Sequence, residues 1–263
     1  MPAISDTITA TTGIAVAVTS ADPVVDVTQT GGILAVDAAG IAVDTEATPY
    51  SVGISVDGIV SASNPAIWFR GNGGSVMIGE DGVVRSALTF GIVSFDSSTE
   101  QIHIDNAGQV IGAAGIITGA ADDSIDNSGT IRGLGGNAII VSEGNDTITN
   151  SGRIVGNDLM GAGNDTFVAE AGGTVDGTIN GGSGDDKYWI VGNDLTLADD
   201  SGTDKIFSTV SHTPGADFEN LKLKGVQDLN GTGNASQDAI RGNIDDNKLR
   251  GRAGNDTLDG GRG

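Results

Sequence analysis

Residues 181–189 (GGSGDDKYW) place three glycines and two adjacent aspartates directly before two aromatic residues. Adjacent carboxylates repel each other, so this segment needs either a cation or full hydration. Glycine allows tight turns whose carbonyl oxygens point inward, and Ca²⁺ prefers oxygen ligands, six to eight of them at about 2.3–2.6 Å. The residue types therefore predict a turn that supplies part of the coordination shell of a calcium ion.

Related turns occur elsewhere in the chain. Residues 160–168 (MGAGNDTFV), 251–259 (GRAGNDTLD) and 142–148 (SEGNDTI) keep most of the pattern, and residues 242–250 (GNIDDNKLR) keep less of it. Asp146, Asp165 and Asp186 follow one another at spacings of 19 and 21 residues. If each spacing is one coil of a repeat, these carboxylates stack, and an ion can lie between two successive turns.

Longer repeats must position these turns. Apolar residues recur every 19 to 25 residues at Ile33, Ile54, Met77, Ile102, Ile125, Ile148, Phe167 and Tyr188. A second column follows a turn glycine, at Ala42, Val60, Val84, Val110, Ile131, Ile154 and Val175. After Tyr188 the first column continues at spacings of 17 or 18 residues, through Ile206, Leu223, Ile240 and Leu258. Short β-branched segments between glycine or asparagine corners at this period predict a parallel β-helix.

The turns resemble the nonapeptide G-G-x-G-x-D-x-U-x of the RTX, or haemolysin-type calcium-binding, family. The resemblance is strongest over residues 180–263, where YWIVGND, FENLKLKG and NGTGNASQDAIRGN are similar to segments that precede such repeats. It implies a right-handed parallel β-roll with Ca²⁺ in its turns, type I secretion, and folding in extracellular calcium. The turns that match the motif predict these calcium-site residues: Gly144, Asn145, Asp146, Gly161, Gly163, Asn164, Asp165, Gly182, Gly184, Asp185, Asp186, Gly254, Asn255 and Asp256.

The fold expected from these observations is all-β. A right-handed parallel β-helix over residues 1–190 continues into an RTX-type β-roll over residues 191–263, and both parts form a single solenoid. Because the chain stops in GGRG, the start of another copy, we expect it to be part of a longer protein.

Composition limits the partners. Thirty-five acidic residues against 13 basic ones give a net charge of −22, so we expect no nucleic-acid binding. Cysteine is absent, no segment is long and apolar enough to span a bilayer, and the N-terminus lacks a Sec-type signal. We therefore expect a secreted calcium-binding structural or adhesive protein of a bacterial surface or matrix. Homo-oligomers through ladder faces or solenoid ends, and a cell-surface polysaccharide, are the partners that suit it.

Alternatives remain at several residues. The aspartates could instead cap turns through side-chain hydrogen bonds, and Asp123, which lacks the glycine signature, is expected to be solvated. Parallel β-helices are often polysaccharide lyases, hydrolases or epimerases, so Arg132 and Arg153 are the candidates for a site if the chain is such an enzyme. His103 is expected to point outward, and one of the adjacent Trp68 and Phe69 is expected in the core.

Overall fold

The computed structural model describes residues 3–4, 7–10, 13–18, 24–27, 32–35, 38–43, 52–70, 73–94, 100–192 and 195–262. These residues form strands, turns and bends and contain no helix. Accordingly, none of them belongs to a helix that could cross a membrane.

The strands are short and follow one another closely. The first fifteen are β1 (Ala3–Ile4), β2 (Thr7–Ala10), β3 (Gly13–Val18), β4 (Val24–Val27), β5 (Gly32–Ala35), β6 (Ala38–Val43), β7 (Val52–Val56), β8 (Ile59–Ala62), β9 (Ile67–Phe69), β10 (Gly74–Ile78), β11 (Val83–Ser86), β12 (Ile92–Ser94), β13 (Ile102–Asn106), β14 (Gln109–Gly112) and β15 (Ile116–Ile117). The others are β16 (Ser124–Asn127), β17 (Thr130–Ile140), β18 (Thr147–Asn150), β19 (Arg153–Leu159), β20 (Thr166–Ala169), β21 (Thr174–Asp176), β22 (Thr178–Asn180), β23 (Lys187–Ile190), β24 (Thr196–Ala198), β25 (Lys205–Ser208), β26 (Asn220–Leu223), β27 (Asn230–Thr232), β28 (Ala239–Arg241), β29 (Lys248–Arg250) and β30 (Thr257–Asp259).

One parallel sheet of 13 strands runs the length of the solenoid, from β1 to β30, with one strand from each coil. A second sheet forms two further faces, because β17 and β19 each bend round a corner and pair on both faces. From β25 onward the coils are simpler, and β27 pairs only with β29 on the opposite side. The parallel β-solenoid predicted from the repeats is confirmed. The division into two domains at residue 190 stays a prediction, since the first sheet crosses that point.

Apolar and polar residues alternate along the strands, and the apolar side chains fill the core. In β7, for example, Val52, Ile54 and Val56 are buried, while Gly53 and Ser55 between them are partly exposed, as the period of two in a strand requires. The inward column of the first sheet contains Val25, Ile54, Val76, Ile104, Ile125, Ile148, Phe167, Tyr188, Ile206, Leu221, Ile240 and Leu258. The second column contains Ile33, Val60, Val84, Val110, Ile131, Ile154 and Val175.

These registers correct part of the column assignment made from the sequence. Met77 is 58% exposed, and its neighbour Val76 pairs with Ile54 instead. Ile102 and Leu223 are buried but lie two residues from the central column. Ile33 belongs to the second sheet, and Ala42 pairs with Trp68 on a third face. Coil lengths vary, and a slip of one residue reverses the face of a strand, so spacing alone misplaced these residues.

Polar ladders stabilise the corners. The amide of Asn106 donates to Asn127 Oδ1, and the amide of Asn127 donates to Asn150 Oδ1, both at 2.7 Å. All three side chains are buried, so each hydrogen bond offsets the desolvation of an amide. This asparagine ladder fixes the end of the first-sheet strands in successive coils.

Two smaller predictions are also confirmed. Phe69 is fully buried, whereas Trp68 is partly exposed, with the Arg70 guanidinium 3.7 Å from its ring centroid. His103 is exposed, and its Nδ1 is 2.7 Å from the hydroxyl of Ser124 on the next coil.

Candidate metal centre

A column of acidic residues lies one residue before each strand of the first sheet, from β16 to β30. Its members are Asp123, Asp146, Asp165, Asp186, Asp204, Glu219, Asp238 and Asp256. We call this column the acidic ladder. The stacking predicted for Asp146, Asp165 and Asp186 is confirmed, and the ladder extends beyond them in both directions.

Every ladder carboxylate except that of Asp238 uses one oxygen to join two coils. Asp165 Oδ1 accepts a hydrogen bond from the backbone N–H of Asp146 at 2.7 Å, and Asp186 Oδ1 accepts one from Asp165 at 2.7 Å. The same bond links Asp204 to Asp186 at 2.9 Å, and Glu219 to Asp204 at 2.9 Å. These bonds explain why an acidic residue suits this position even without an ion.

The second carboxylate oxygen of several ladder residues has no hydrogen-bond partner. Within the described part of the chain, Oδ2 of five ladder residues is buried and has no hydrogen-bond partner: Asp123, Asp146, Asp165, Asp186 and Asp204. Buried carboxylate oxygens are costly unless they bind a proton, a donor or a metal. A row of such oxygens therefore suits bound protons, water molecules or cations.

Burial also shifts the titration of these groups. It raises the pKa of Asp146 to about 8 and that of Asp165 to about 7, with further repulsion from neighbouring ladder carboxylates. The pKa values of Asp186 and Asp204 rise to about 6 for the same reasons. Without a cation, the ladder would therefore be partly protonated at neutral pH.

The strongest cluster lies where the ladder meets a neighbouring strand end. Carboxylate oxygens of Asp186, Asp199 and Asp204 lie within 4.8 Å of one another, and all three side chains are buried. Asp199 directly follows β24, and its Oδ2 accepts a 2.6 Å hydrogen bond from the hydroxyl of Tyr188. Oδ1 of Asp199, like Oδ2 of Asp186 and Asp204, is buried and has no partner among the described residues. Three buried carboxylates this close together, each with one oxygen that has no partner, fit a divalent cation with oxygen ligands.

The lack of a side chain at Gly181 makes room for this cluster. A Cβ atom on Gly181 would lie 2.1 Å from the Tyr188 hydroxyl, 2.2 Å from Asp186 Oδ2 and 2.7 Å from Asp199 Oδ2. On the preceding coil the same position is Met160, whose backbone N–H bonds to the residue before Gly181. The absence of a side chain at this one position thus opens the cradle between β22 and β23.

The turns themselves require glycine for a different reason. Gly163 and Gly184 have φ values of 147° and 130°, which favour glycine. A Cβ at Gly184 would also lie 1.8 Å from the carbonyl oxygen of Gly163. Only glycine at these positions allows the turns to stack this closely, with the carbonyl oxygen of one turn near the next turn.

The outer residues of the predicted turns form a second, exposed row. Backbone N–H groups of Asn164, Asp185 and Thr203 donate to Oδ1 of Asn145, Asn164 and Asp185 respectively, at 2.7–3.0 Å. The structure thus brings together the predicted residues of the first three turns: Gly144, Asn145, Asp146, Gly161, Gly163, Asn164, Asp165, Gly182, Gly184, Asp185 and Asp186. The fourth turn, with Gly254, Asn255 and Asp256, lies apart from them and contacts the coil of Asp238.

One expectation about this region is wrong, and two residues of the cluster were not predicted. Asp123 is 3% exposed and its Oδ1 accepts the backbone N–H of Ile102 at 2.7 Å, so the prediction of a solvated side chain is wrong. Hydrogen bonding between stacked coils keeps the Asp123 side chain buried, and the glycine motif does not predict such bonding. Asp199 and Asp204 were missed, although residues 199–207 (DDSGTDKIF) retain the Gly202, Asp204 and Ile206 of the motif.

Another buried carboxylate was not visible in the sequence. Asp158 is fully buried, between Ile139 and Ile179 of the third inward column. Neither of its oxygens has a hydrogen-bond partner among the described residues, and burial raises its pKa well above the usual range. It occupies a position that other coils fill with an aliphatic side chain.

The arginines of the enzyme alternative do not point to a shared site. Arg153 pairs with Asp176 of the next coil, and both side chains are about half exposed. Arg132 is also exposed but lies in a different row, opposite Val155. The Arg153–Asp176 pair therefore links neighbouring strands of the second sheet.

Comparison with known proteins adds no assignment. No protein-family model matches this chain, and no curated protein and no solved structure matches it.

Proposed function

We propose that this chain is a secreted, calcium-binding structural or adhesive solenoid of the RTX type, at a bacterial surface or in an extracellular matrix. The proposal is carried by the acidic ladder, in which five of the eight carboxylates have one buried oxygen without a partner among the described residues. Calcium ions bound between successive turns would supply the missing interactions and neutralise the repulsion between the stacked charges.

Several features favour Ca²⁺ over other cations. The cluster of Asp186, Asp199 and Asp204 offers only oxygen, which hard cations prefer over nitrogen or sulfur ligands. The glycine carbonyls beside it are further oxygen ligands, and an irregular shell of this kind suits Ca²⁺ better than the octahedral Mg²⁺. Asp186 and Asp204 would bind from successive coils, while Asp199 would bind from the end of β24.

The biological role rests on calcium and on the shape of the fold. Metal ligands that are not assembled in the unfolded chain couple folding to binding, so a calcium-poor interior would keep the chain unfolded until export. A solenoid then presents regular faces and strand edges for assembly with other copies. Type I secretion and surface attachment belong to this proposal and rest on the resemblance of the turns to the RTX motif.

The test is a calcium titration of the whole chain after treatment with a chelator, with Mg²⁺ at equal concentration as the comparison. We expect Ca²⁺ to bind, to compact the protein in sedimentation, and to raise its thermal midpoint, while Mg²⁺ has a much weaker effect. Asp204→Asn should weaken this response, whereas Asp126→Asn, which removes an exposed carboxylate from the neighbouring strand face, should leave it unchanged. If millimolar Ca²⁺ produces no binding heat and no change in size or midpoint, the ladder is held by protons and the calcium proposal is wrong. Growth to large species in the same titration would support assembly between copies.

A further inference from the structure

Basic residues are concentrated on one part of this acidic protein. Four of the five lysines, together with Arg241, lie on the outward surface of the first sheet between β23 and β28. We call this set, consisting of Lys187, Lys205, Lys222, Lys224 and Arg241, the basic face. It occurs in a chain whose net charge is −22.

The cations are direct neighbours across the strands. Lys187 lies opposite Lys205, and Lys222 lies opposite Arg241, about 4.8 Å apart along the stack. Like charges in such positions destabilise a sheet, and Lys224, Arg241 and Lys205 lower the pKa of Lys222. Among the described residues the ion pair on this face joins Arg241 to Asp259 at 3.2 Å. The arrangement therefore costs stability in the isolated protein and would be relieved by an anionic partner.

The basic face also has an apolar component. Trp189 and Phe207 stack at 4.1 Å between ring centroids, and Lys224 Nζ lies 5.1 and 5.2 Å from the two rings. Beside them a groove of ≈ 380 Å³ is lined on its outer side by Phe207 and Ala239, with Lys205, Lys222, Arg241 and Asp259 at its sides. Apolar surface with a few convergent polar groups is typical of a ligand site.

We propose that the basic face binds a linear acidic polysaccharide, a polyuronate, whose carboxylates pair with the lysines and whose sugar rings contact the apolar groove. Cations that repeat from coil to coil suit a polymer that carries carboxylates at regular intervals along its length. Asn220 and Thr257, which line the same groove, offer hydrogen bonds to sugar hydroxyls. A second copy of this chain fits less well here, because a symmetric contact would bring two basic faces together and their like charges would repel.

The face is separate from the acidic ladder, since its side chains point away from the core that the ladder lines. The test measures binding of polygalacturonate to the calcium-equilibrated protein by calorimetry, with neutral dextran as the comparison polymer. The test variant is Lys205→Glu with Lys222→Glu. Its matched control, Lys248→Glu with Arg250→Glu, makes the same charge change on exposed side chains of β29, outside the first sheet.

We expect polygalacturonate to bind in a salt-sensitive manner and dextran not to bind. The test variant should bind about tenfold or more weakly, and the control should stay within about twofold of the original protein. Equal loss in both variants, no loss in either, or no binding of polygalacturonate would overturn the proposal. No loss in either would also identify calcium bridges between the polymer and acidic residues as the source of binding. If the test variant changes only the self-association of the protein, the face is a contact between copies and the polysaccharide proposal is wrong. A failed calcium titration would leave this result unaffected, because the variants do not alter the ladder.

Discussion

Replacing Gly181 with alanine tests the proposed calcium site of Asp186, Asp199 and Asp204 most directly. The added Cβ would lie 2.1 Å from the Tyr188 hydroxyl and 2.2 Å from Asp186 Oδ2, about 0.9 Å closer than the 3.0 Å below which real contacts are essentially never seen. The φ angle of Gly181 is not among the positive ones, so alanine adds no backbone strain. The substitution therefore acts by filling the cradle between Asp186 and Asp199.

Two effects must be separated. Overpacking lowers the stability of the metal-free protein by about 1–3 kcal/mol, whereas loss of one ion removes the stabilisation that calcium adds. At a calcium concentration 100 times the Kd, one site contributes about 2.7 kcal/mol, which corresponds to about 5–10 °C in the midpoint of a chain of this size. The informative quantity is thus the difference between the midpoints with calcium and with chelator.

The assay is thermal unfolding and calcium calorimetry on Gly181→Ala and on Gly215→Ala. A Cβ at Gly215 would make only ordinary contacts, 3.8 Å from the Phe218 ring, so this control variant should keep the full calcium increment. We expect Gly181→Ala to lose about 5–10 °C of the increment and one bound ion per chain. A Gly181→Ala protein with an unchanged increment and unchanged stoichiometry would refute the assignment of Asp186, Asp199 and Asp204 as a calcium site.

Further predictions concern pH and two buried polar groups. The folded-state pKa values of Asp146 (about 8), Asp165 (about 7) and Asp186 (about 6) are raised. In chelator, the stability that these three groups contribute should therefore be complete below about pH 4 and be lost as the pH rises from 4 to 8; denaturant midpoints that rise over that range would contradict this. Because Ca²⁺ displaces those protons, its stabilising increment should grow over the same pH range, and calorimetry in buffers of different ionisation enthalpy should detect proton release. Asp158→Val should stabilise the protein by about 1–3 kcal/mol at pH 7, since it removes a buried carboxylate without a hydrogen-bond partner; a lower denaturant midpoint would show that Asp158 has a function that the described contacts do not reveal. Asn127→Ala should destabilise by about 1–3 kcal/mol because it removes the 2.7 Å acceptor of the Asn106 amide and the donor to Asn150 Oδ1, and an unchanged midpoint would argue against the asparagine ladder.

Much of the fold follows from the sequence because a solenoid repeats its local rules. The column through Val60, Val84 and Val110 was predicted correctly, since in each coil a turn glycine lies two residues before it. The stacking of Asp146 on Asp165 followed from a motif that keeps its length from turn to turn. In such regions the spacing along the chain equals one circuit of the solenoid, so sequence period and spatial neighbourhood agree.

Where coil length or corner position varies, only the tertiary structure decided the outcome. The exposed position of Met77 and the buried position of Asp123 depend on pairing with strands more than 20 residues away. Asp199 lies 13 residues from Asp186 along the chain, and only the path from β23 to β24 brings both carboxylates beside the space left by Gly181. The basic face likewise comes from four strands that are each unremarkable in sequence. The residue types thus determined that the turns offer carboxylate and carbonyl oxygens and that the strands stack in parallel. The register between coils decided which of those groups lie together, because register depends on contacts that form only when the whole coil is wound.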